Sequence, residues 1–196
     1  MYDKDLSNKQ KDSEPVIERA VAADAEAVVA VLARTWLATY PNPEIGITYE
    51  DIRLRVEGEH GERTAQNIER WRTAIATTDG SKAVFVARLN AEVVGLAVPA
   101  IVDSQRRIGA LYVLPEVQGR GIGGKLMRQA LQWHGGGEDI YLAVASYNQN
   151  AINFYKRFGF EPTDRAIEDE GDVYGGTKIP EIEMMRKGEH DEKSAD

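Results

Sequence analysis

Apolar residues recur along this chain with two different spacings, and the alternation between them predicts a domain built from both helices and strands. A spacing of three or four residues, which places apolar side chains on one face of a helix, predicts helices at 25–39, 48–57, 62–77, 121–134 and 150–158. Short runs rich in apolar and β-branched residues predict strands at 16–21, 82–89, 92–102, 106–114, 140–145, 161–165 and 177–187. Three consecutive strands joined by turns, followed by a strand–helix–strand crossover, predict a mixed, mostly antiparallel sheet.

The length of the chain fits one domain. It has 196 residues, of which 42% are hydrophobic, enough for a sizeable core. We expect the domain to occupy 15–187. The stretch 1–14 is rich in Lys, Asp, Ser and Gln, which predicts a disordered tail, and the charged stretch 188–196 predicts a second tail.

Charge and composition argue against several classes of function. A formal net charge of −8 is a poor match to nucleic-acid binding, which needs clustered lysine and arginine. The chain has no cysteine, which excludes disulfides and thiolate chemistry. No apolar run approaches the roughly 18 residues of a membrane span, and the first residues lack the apolar core of a signal peptide. We therefore expect a cytoplasmic protein without a membrane or nucleic-acid partner.

The three histidines give no support to a metal site. His60, His134 and His190 are far apart in the sequence, and none lies in the motifs described below. His134 closes a predicted helix, where a positive charge is favourable because of the helix dipole. We expect it to serve that helix end rather than to bind a metal.

The most informative stretch lies at the junction of a strand and a helix. The β-prone run from Ile108 to Leu114 ends at Pro115, and a glycine-dense turn, Gln118 to Gly124, leads into a helix. Glycine allows the backbone to approach a ligand closely and to adopt positive φ. The free N–H groups of such a turn and of a helix N-terminus together bind anions. The stretch therefore predicts a site for a phosphate or diphosphate, in preference to a turn without a ligand.

Three motifs compete for these glycines. The phosphate loop of nucleoside triphosphatases, G-x-x-x-x-G-K-[ST], fits up to Lys125, but Leu126 stands where a Ser or Thr should hold Mg²⁺. The dinucleotide fingerprint G-x-G-x-x-G matches Gly119, Gly121 and Gly124, but no acidic residue follows at the distance that it requires. The third motif, Q-x-x-G-x-G, is matched by Gln118 together with Gly121 and Gly123.

A second stretch, 148–160, decides among the three. It reads N-Q-N-A-I-N-F-Y-K-R-F-G-F and follows the first across one predicted helix and one strand. In this order and at this spacing, the two stretches resemble the coenzyme A loop and the second signature of the GCN5-related N-acetyltransferase (GNAT) family. The resemblance covers 82–187 well and the N-terminal third only loosely. It implies an α+β fold in which helices flank a mixed, mostly antiparallel sheet of about six or seven strands.

The resemblance also implies a cofactor, acetyl-coenzyme A, and the residues that bind it. The amides of the glycine-rich turn would bind its diphosphate, and the exposed backbone of the preceding strand would pair with its pantetheine arm. One N–H of that strand would face the thioester carbonyl and stabilise the developing oxyanion. The implied cofactor-binding residues are Leu111, Tyr112, Val113, Gln118, Gly119, Arg120, Gly121, Ile122, Gly123, Gly124, Asn148 and Tyr155.

Tyr155 is the implied catalytic residue. In the resembled family the tyrosine at this position lies near the thioester sulfur and protonates the leaving thiolate. The glutamate that many members use as general base has no counterpart on the strands 106–114 and 140–145, which are uncharged at the corresponding positions. Glu44, Glu50 and Asp51 lie near the predicted acceptor loop, but a solvated surface role is the favoured explanation for each of them, so no general base is assigned.

The resemblance indicates only the general chemical class of the molecule that accepts the acetyl group. We expect a primary amine carried by a small molecule such as a polyamine, or by a peptide or protein, with Trp36, Tyr40 and Tyr49 lining its site. Ordinary helix packing is an alternative explanation for each of these aromatic residues. Family members are often dimers, so a homodimer is possible by analogy. Two functional alternatives stay open: a catalytically inactive acyl-coenzyme A-binding regulator of the same fold, and a nucleoside triphosphatase.

Overall fold

The computed structural model describes residues 14–77, 79–167 and 178–189. Most of the predicted N-terminal tail, His190 and most of the predicted C-terminal tail lie outside these residues, as does the stretch 169–176, whose acidic residues and glycines predict a loop between the last two strands. The bounds proposed for the domain and its tails therefore remain predictions.

One seven-stranded sheet forms the centre of the fold, with the strand order β1-β2-β3-β4-β5-β7-β6. The strands are β1 (Val16–Arg19), β2 (Phe85–Leu89), β3 (Glu92–Val102), β4 (Gln105–Val113), β5 (Ile140–Ala145), β6 (Glu161–Ile167) and β7 (Glu181–Arg186). Every neighbouring pair is antiparallel except β4 and β5, which are parallel. The predicted mixed, mostly antiparallel sheet is confirmed.

Two tight turns connect the first part of the sheet. Asn90 and Ala91 join β2 to β3 with φ of 51° and 69°, and Asp103 and Ser104 join β3 to β4 with φ of 49° and 65°. Consecutive left-handed residues suit hairpins because their twist matches that of the paired strands. Both turns fall where the sequence predicts them.

In the described ranges, five α-helices flank the sheet: α1 (Ala25–Thr39), α2 (Tyr49–Glu57), α3 (Glu62–Ala76), α4 (Ile122–His134) and α5 (Gln149–Lys156). The first three pack against one another, while α1 and α4 both contact β3 and β4. Thr48 begins α2 with a capping box, in which its hydroxyl accepts the Asp51 N–H while the Asp51 carboxylate accepts the Thr48 N–H. This box fixes the point where the chain leaves the loop 41–47 and enters α2.

Some predicted boundaries differ from the observed ones. The last strand begins at Glu181 instead of position 177, because Pro180 cannot donate to the sheet ladder. Strand β2 begins at Phe85 instead of position 82, because Lys82 forms only an isolated bridge to Ala100. Strand β1 ends at Arg19 instead of position 21.

The buried side chains form two clusters. The larger one lies between the sheet and helices α1, α4 and α5 and includes Leu96, Leu126 and Phe160, all fully buried. The smaller one contains Ile47, Ile52, Ala145 and Ile179, with Trp36, Leu37, Tyr40 and Tyr147 packed against it. The smaller cluster joins the C-terminal end of α1 and the beginning of α2 to the ends of β5 and β7.

Candidate active site

Strands β4 and β5 separate halfway along their length, and this opening creates the site. Their parallel pairing covers only Arg106, Arg107 and Ile108, opposite Ile140, Tyr141 and Leu142. Beyond Ile108, β4 continues to Val113 paired with β3 alone, while β5 continues to Ala145 paired with β7. The backbone of β4 from Gly109 to Val113 therefore presents one hydrogen-bonding side to the opening. Such an edge can pair with an extended ligand that carries amides.

The turn after β4 delivers backbone N–H groups to the wide end of the opening. Gly119 and Gly121 both have φ of 78°, and Gly121 is the residue before α4. The first hydrogen bond inside α4 runs from the Lys125 N–H to the Gly121 carbonyl, at 3.1 Å. The amides of Ile122, Gly123 and Gly124 precede it, so they point out of the helix end.

The charge at this end of α4 favours an anion. The helix dipole places partial positive charge at the N-terminus, and no acidic side chain stands in the first turn. The Gln118 side chain donates from Nε2 to the Val113 carbonyl at 2.9 Å, which fixes the turn to the end of β4. The turn and the strand edge are thereby held in one arrangement.

The glycines keep this surface free of side chains. Space around Gly119 and Gly121 is open, with nothing within 4 Å of an added Cβ, whereas a Cβ on Gly123 would lie 3.4 Å from the Phe154 ring. The result is a concave main-chain surface at a helix N-terminus. A diphosphate group fits such a surface.

Helix α5 carries the second signature to the other wall of the opening. Asn148 begins this helix, and its Oδ1 accepts the Ala151 N–H at 3.1 Å. The Tyr155 side chain is buried between Phe154 and Phe160. Among the described residues its hydroxyl has no hydrogen-bond partner, so the group is available to a ligand.

The pKa of Tyr155 is raised above its usual range. Burial is the largest cause, and the neighbouring Tyr112 and Glu181 add to it. The hydroxyl therefore keeps its proton at neutral pH, as a general acid must before it acts.

These elements enclose one cavity of about 830 Å³. Its walls come from the end of α1, the free edge of β4, the glycine-rich turn, the end of β5 and one side of α5. Twelve of the residues predicted from sequence line it, namely Tyr40, Leu111, Tyr112, Val113, Gln118, Gly119, Gly121, Ile122, Gly123, Gly124, Asn148 and Tyr155. Among the described residues, the predicted Trp36, Tyr49 and Arg120 do not belong to the lining.

Aromatic side chains form the wall opposite the glycine-rich turn. The hydroxyl oxygens of Tyr40 and Tyr112 lie 3.3 Å apart. Trp36 stands behind them, with its ring centre 4.9 Å from that of Tyr40 and 6.4 Å from that of Tyr112. Tyr49 is 56% exposed at the start of α2. The predicted acceptor residues are thus divided, with Tyr40 in the cavity, Trp36 directly behind it and Tyr49 on the surface.

Sequence reasoning assigned only the backbone of Tyr112 to the site, whereas the structure also brings its side chain there. Tyr147 does not line the cavity but contacts this wall, because its hydroxyl donates to the Tyr40 carbonyl at 2.8 Å. Glu181, at the start of β7, acts electrostatically on the tyrosines of this wall. The sequence gives no local signal for these residues, because they belong to no motif and meet only through the sheet.

The three carboxylates considered near the acceptor loop are engaged elsewhere or exposed. Asp51 belongs to the cap of α2, and Glu50 forms an ion pair with Arg53 at 2.7 Å. Hydrogen bonding to Arg53 lowers the pKa of Glu50. Glu44 is exposed. None of the three lines the cavity, which supports the solvated surface role for each.

His134 does not supply a positive charge at the end of α4, so that prediction was wrong. Its side chain is buried and its Nε2 donates to the Arg107 carbonyl at 2.9 Å. Burial lowers the pKa of His134, with the positive charge of Arg106 as a further cause in the same direction. The neutral ring therefore joins α4 to β4.

Among the described residues, no group of three or more His, Asp or Glu side chains is arranged to hold a metal ion. No described helix combines the length and the apolar character that a membrane crossing requires.

Known proteins share both the sequence pattern and the architecture. The model of the Acetyltransferase (GNAT) family matches residues 47–160, more than half of the chain. A curated relative, the peptidyl-lysine N-acetyltransferase YiaC of Escherichia coli K12, is 42% identical over 65 residues. That match covers 33% of this chain and 42% of the relative. The chain therefore spans less than half the length of this curated relative.

Two solved structures show the same fold. PaiA N-acetyltransferase from Thermoplasma acidophilum, in complex with coenzyme A, has a TM-score of 0.62 at 20% identity, over 89% of this chain and 99% of that one. The putative acetyltransferase YncA from Salmonella typhimurium, with its cofactor acetyl-CoA, has a TM-score of 0.62 at 19% identity, over 93% of this chain and 99% of that one. At these identities the likeness concerns the fold alone.

Proposed function

The chain belongs to the Acetyltransferase (GNAT) family, and from that premise we propose that it is an N-acetyltransferase that transfers acetyl from acetyl-coenzyme A to a lysine side-chain amine of a protein or peptide. The acceptor class is supported by the peptidyl-lysine activity in the name of the curated relative. Attack is direct, within a complex of both substrates. Without a cysteine, the chain has no thiol to carry the acyl group.

One observation carries the proposal: the glycine-rich turn and Tyr155 line the same cavity, and the Tyr155 hydroxyl has no hydrogen-bond partner in the part of the chain that the structure describes. The amides of Ile122, Gly123 and Gly124 hold the diphosphate, and the free edge of β4 pairs with the amide-bearing arm. When bound, acetyl-coenzyme A supplies the thioester that is attacked.

The residues of the chain then have separate tasks. The β4 edge orients the arm, and a backbone N–H from it stabilises negative charge that develops on the carbonyl oxygen. Tyr155 holds a proton for the departing sulfur, and the raised pKa keeps that proton in place at neutral pH. The aromatic wall of Tyr40 and Tyr112 receives the acceptor on the other side.

The test is release of free thiol from acetyl-coenzyme A in the presence of lysine-containing peptides, with free polyamines as the competing acceptor class. We expect turnover with the peptides, and we expect Tyr155→Phe to reduce kcat by about 100-fold, the usual size of a general-acid contribution. Acetyl-coenzyme A affinity, measured by calorimetry, should stay within a few-fold of the wild type in this variant.

Other outcomes point to other functions. Tight binding of acetyl-coenzyme A without turnover on any amine would favour the inactive regulator. Turnover with polyamines but not with peptides would keep the activity and replace the acceptor. Magnesium-dependent ATP binding would support the triphosphatase, which Leu126 argues against.

A further inference from the structure

The described lining of the cavity contains no carboxylate. Its ionisable side chains are Tyr40, Tyr112, Tyr155 and Arg157. Burial raises the pKa of all three tyrosines, so each keeps its proton at neutral pH. An alkyl amine has a pKa of about 10 and must lose a proton before it attacks. None of the described side chains that line the cavity is therefore a ready acceptor for this proton.

Glu181 lies behind the cavity wall. It opens β7, and its Cα is paired with that of Ala145, the last residue of β5 and part of the cavity wall. Residues directly opposite each other in an antiparallel pair project from the same face of the sheet. Ala145 belongs to the small core cluster against which Trp36, Tyr40 and Tyr147 pack. The register alone thus directs Glu181 toward the aromatic wall.

The electrostatics of the wall agree with this placement. After burial, the negative charge of Glu181 is a further cause of the raised pKa of Tyr40, Tyr112, Tyr147 and Tyr155. One carboxylate thus acts on every tyrosine at this end of the cavity. A field of this sign favours an approaching ammonium group.

A positive charge also lies against this wall. The guanidinium carbon of Arg55, on α2, lies 5.3 Å from the centre of the Trp36 ring. Its charge lowers the pKa of Tyr112, against the effect of Glu181. The Tyr112 hydroxyl is therefore under the influence of a cation and a carboxylate, which shift its pKa in opposite directions.

We propose that Glu181 is the final proton acceptor of the reaction and acts through the Tyr40–Tyr112 hydroxyl pair, as a positioning residue that does not touch the substrate. This inference rests on the proposed N-acetyltransferase function. The acceptor ammonium gives one proton to the hydroxyl pair, which passes a proton of its own to the Glu181 carboxylate. The nitrogen lone pair forms the N–C bond, the C–S bond breaks, and the Tyr155 proton goes to sulfur. The second proton shed by nitrogen restores the Tyr155 hydroxyl, and Glu181 releases its proton to solvent.

The test is the pH dependence of kcat/KM for a lysine peptide in Glu181→Gln, which removes the charge and retains the size. At pH 7 we expect a loss of about 100-fold, typical of general-base catalysis. The deficit should shrink as the pH approaches the pKa of the amine, about 10, because the acceptor then arrives already deprotonated. A merely structural role would leave the deficit the same at every pH.

Two further variants and a binding measurement sharpen the test. Glu161→Gln, at the exposed first residue of the neighbouring strand β6, is the matched control and should behave as wild type. Tyr112→Phe interrupts the hydroxyl pair and should reproduce the pH-dependent deficit even if Glu181→Gln folds poorly. Peptide affinity is measured by calorimetry on wild type and Glu181→Gln, both saturated with coenzyme A. The two affinities should differ much less than the two kcat values.

The outcomes separate the inference from the function on which it rests. A wild-type protein that acetylates no amine overturns the proposed function, and this inference with it. If the wild type turns over but Glu181→Gln and Tyr112→Phe lose no kcat/KM, or lose the same factor at every pH, the role of Glu181 alone is overturned.

Discussion

A Cβ atom added to Gly95 would lie 2.8 Å from the carbonyl oxygen of Tyr112. Gly95 belongs to β3 and is paired with Val113 at the end of β4. The same Cβ would lie 3.2 Å from the side chains of both Val113 and Leu126. The free edge of β4 can therefore occupy its observed place only because residue 95 has no side chain.

The first prediction concerns this close approach. Gly95→Ala should lower the free energy of unfolding by about 1–3 kcal/mol, the usual cost of overpacking, because a backbone carbonyl cannot move aside as a flexible side chain does. Urea denaturation measures the change. The control is Gly109→Ala on β4, where the added Cβ would meet only the Val98 carbonyl oxygen, at 3.5 Å. Equal losses in both variants would contradict the argument.

The second prediction concerns the anion site. Gly121→Val should abolish binding of acetyl-coenzyme A in calorimetry, because a branched side chain at φ of 78° distorts the turn that presents the amides. The fold should persist, since nothing lies within 4 Å of an added Cβ.

A matched control separates backbone strain from loss of the site. Gly61 precedes α3 with φ of 79° and ψ of 5°, close to the 78° and 1° of Gly121 before α4. Gly61→Val imposes the same strain far from the cavity and should retain binding. Unchanged affinity in Gly121→Val would remove the assigned site.

The third prediction separates two roles of Asn148. Asn148→Ala should cost about 1 kcal/mol of stability, because it removes the cap of α5. Asn148→Ser retains a capping oxygen and should keep most of that stability. If the side-chain amide also contacts the arm of coenzyme A, both variants should lose affinity equally in calorimetry. If Asn148→Ser keeps its affinity for coenzyme A as well as its stability while Asn148→Ala loses both, Asn148 acts only by capping the helix.

The fourth prediction concerns pH. The pKa of His134 is lowered by burial from its ordinary value of 6.5, so below pH 6.5 the unfolded chain binds more protons than the folded one. The stability that this neutral ring contributes is present above pH 6.5 and is lost as the pH falls through the folded pKa.

The measurement is urea denaturation at pH 7.5 and 5.5. His134→Gln retains a side-chain donor for the Arg107 carbonyl but does not titrate, so its loss of stability between the two pH values should be smaller than in wild type. His60→Gln, at an exposed position, serves as the control and should keep the wild-type difference. An identical pH dependence in all three proteins would contradict a buried, neutral His134.

The proposed anion site could be located from the sequence because its chemistry is local. A turn that needs positive φ requires glycine, a helix must follow it, and both requirements appear as consecutive residues from Gln118 to Gly124. The pairing of β2 with β3, the pairing of β3 with β4 and the crossover from β4 to β5 followed in the same way, from turns at Asn90 and Asp103 and from one helix between strands. Hydrophobic periodicity located the elements, although their ends shifted where Pro180 or an isolated bridge interrupted a ladder.

The acceptor side was decided by the tertiary structure. Tyr40 and Tyr112 come into contact across 72 positions of sequence, and Glu181 approaches them only because β7 inserts between β5 and β6. Sheet order and register are set by long-range packing, which leaves no pattern of spacing in the chain. His134 shows the same limit, since its sequence position indicates a helix end while burial against β4 determines its charge.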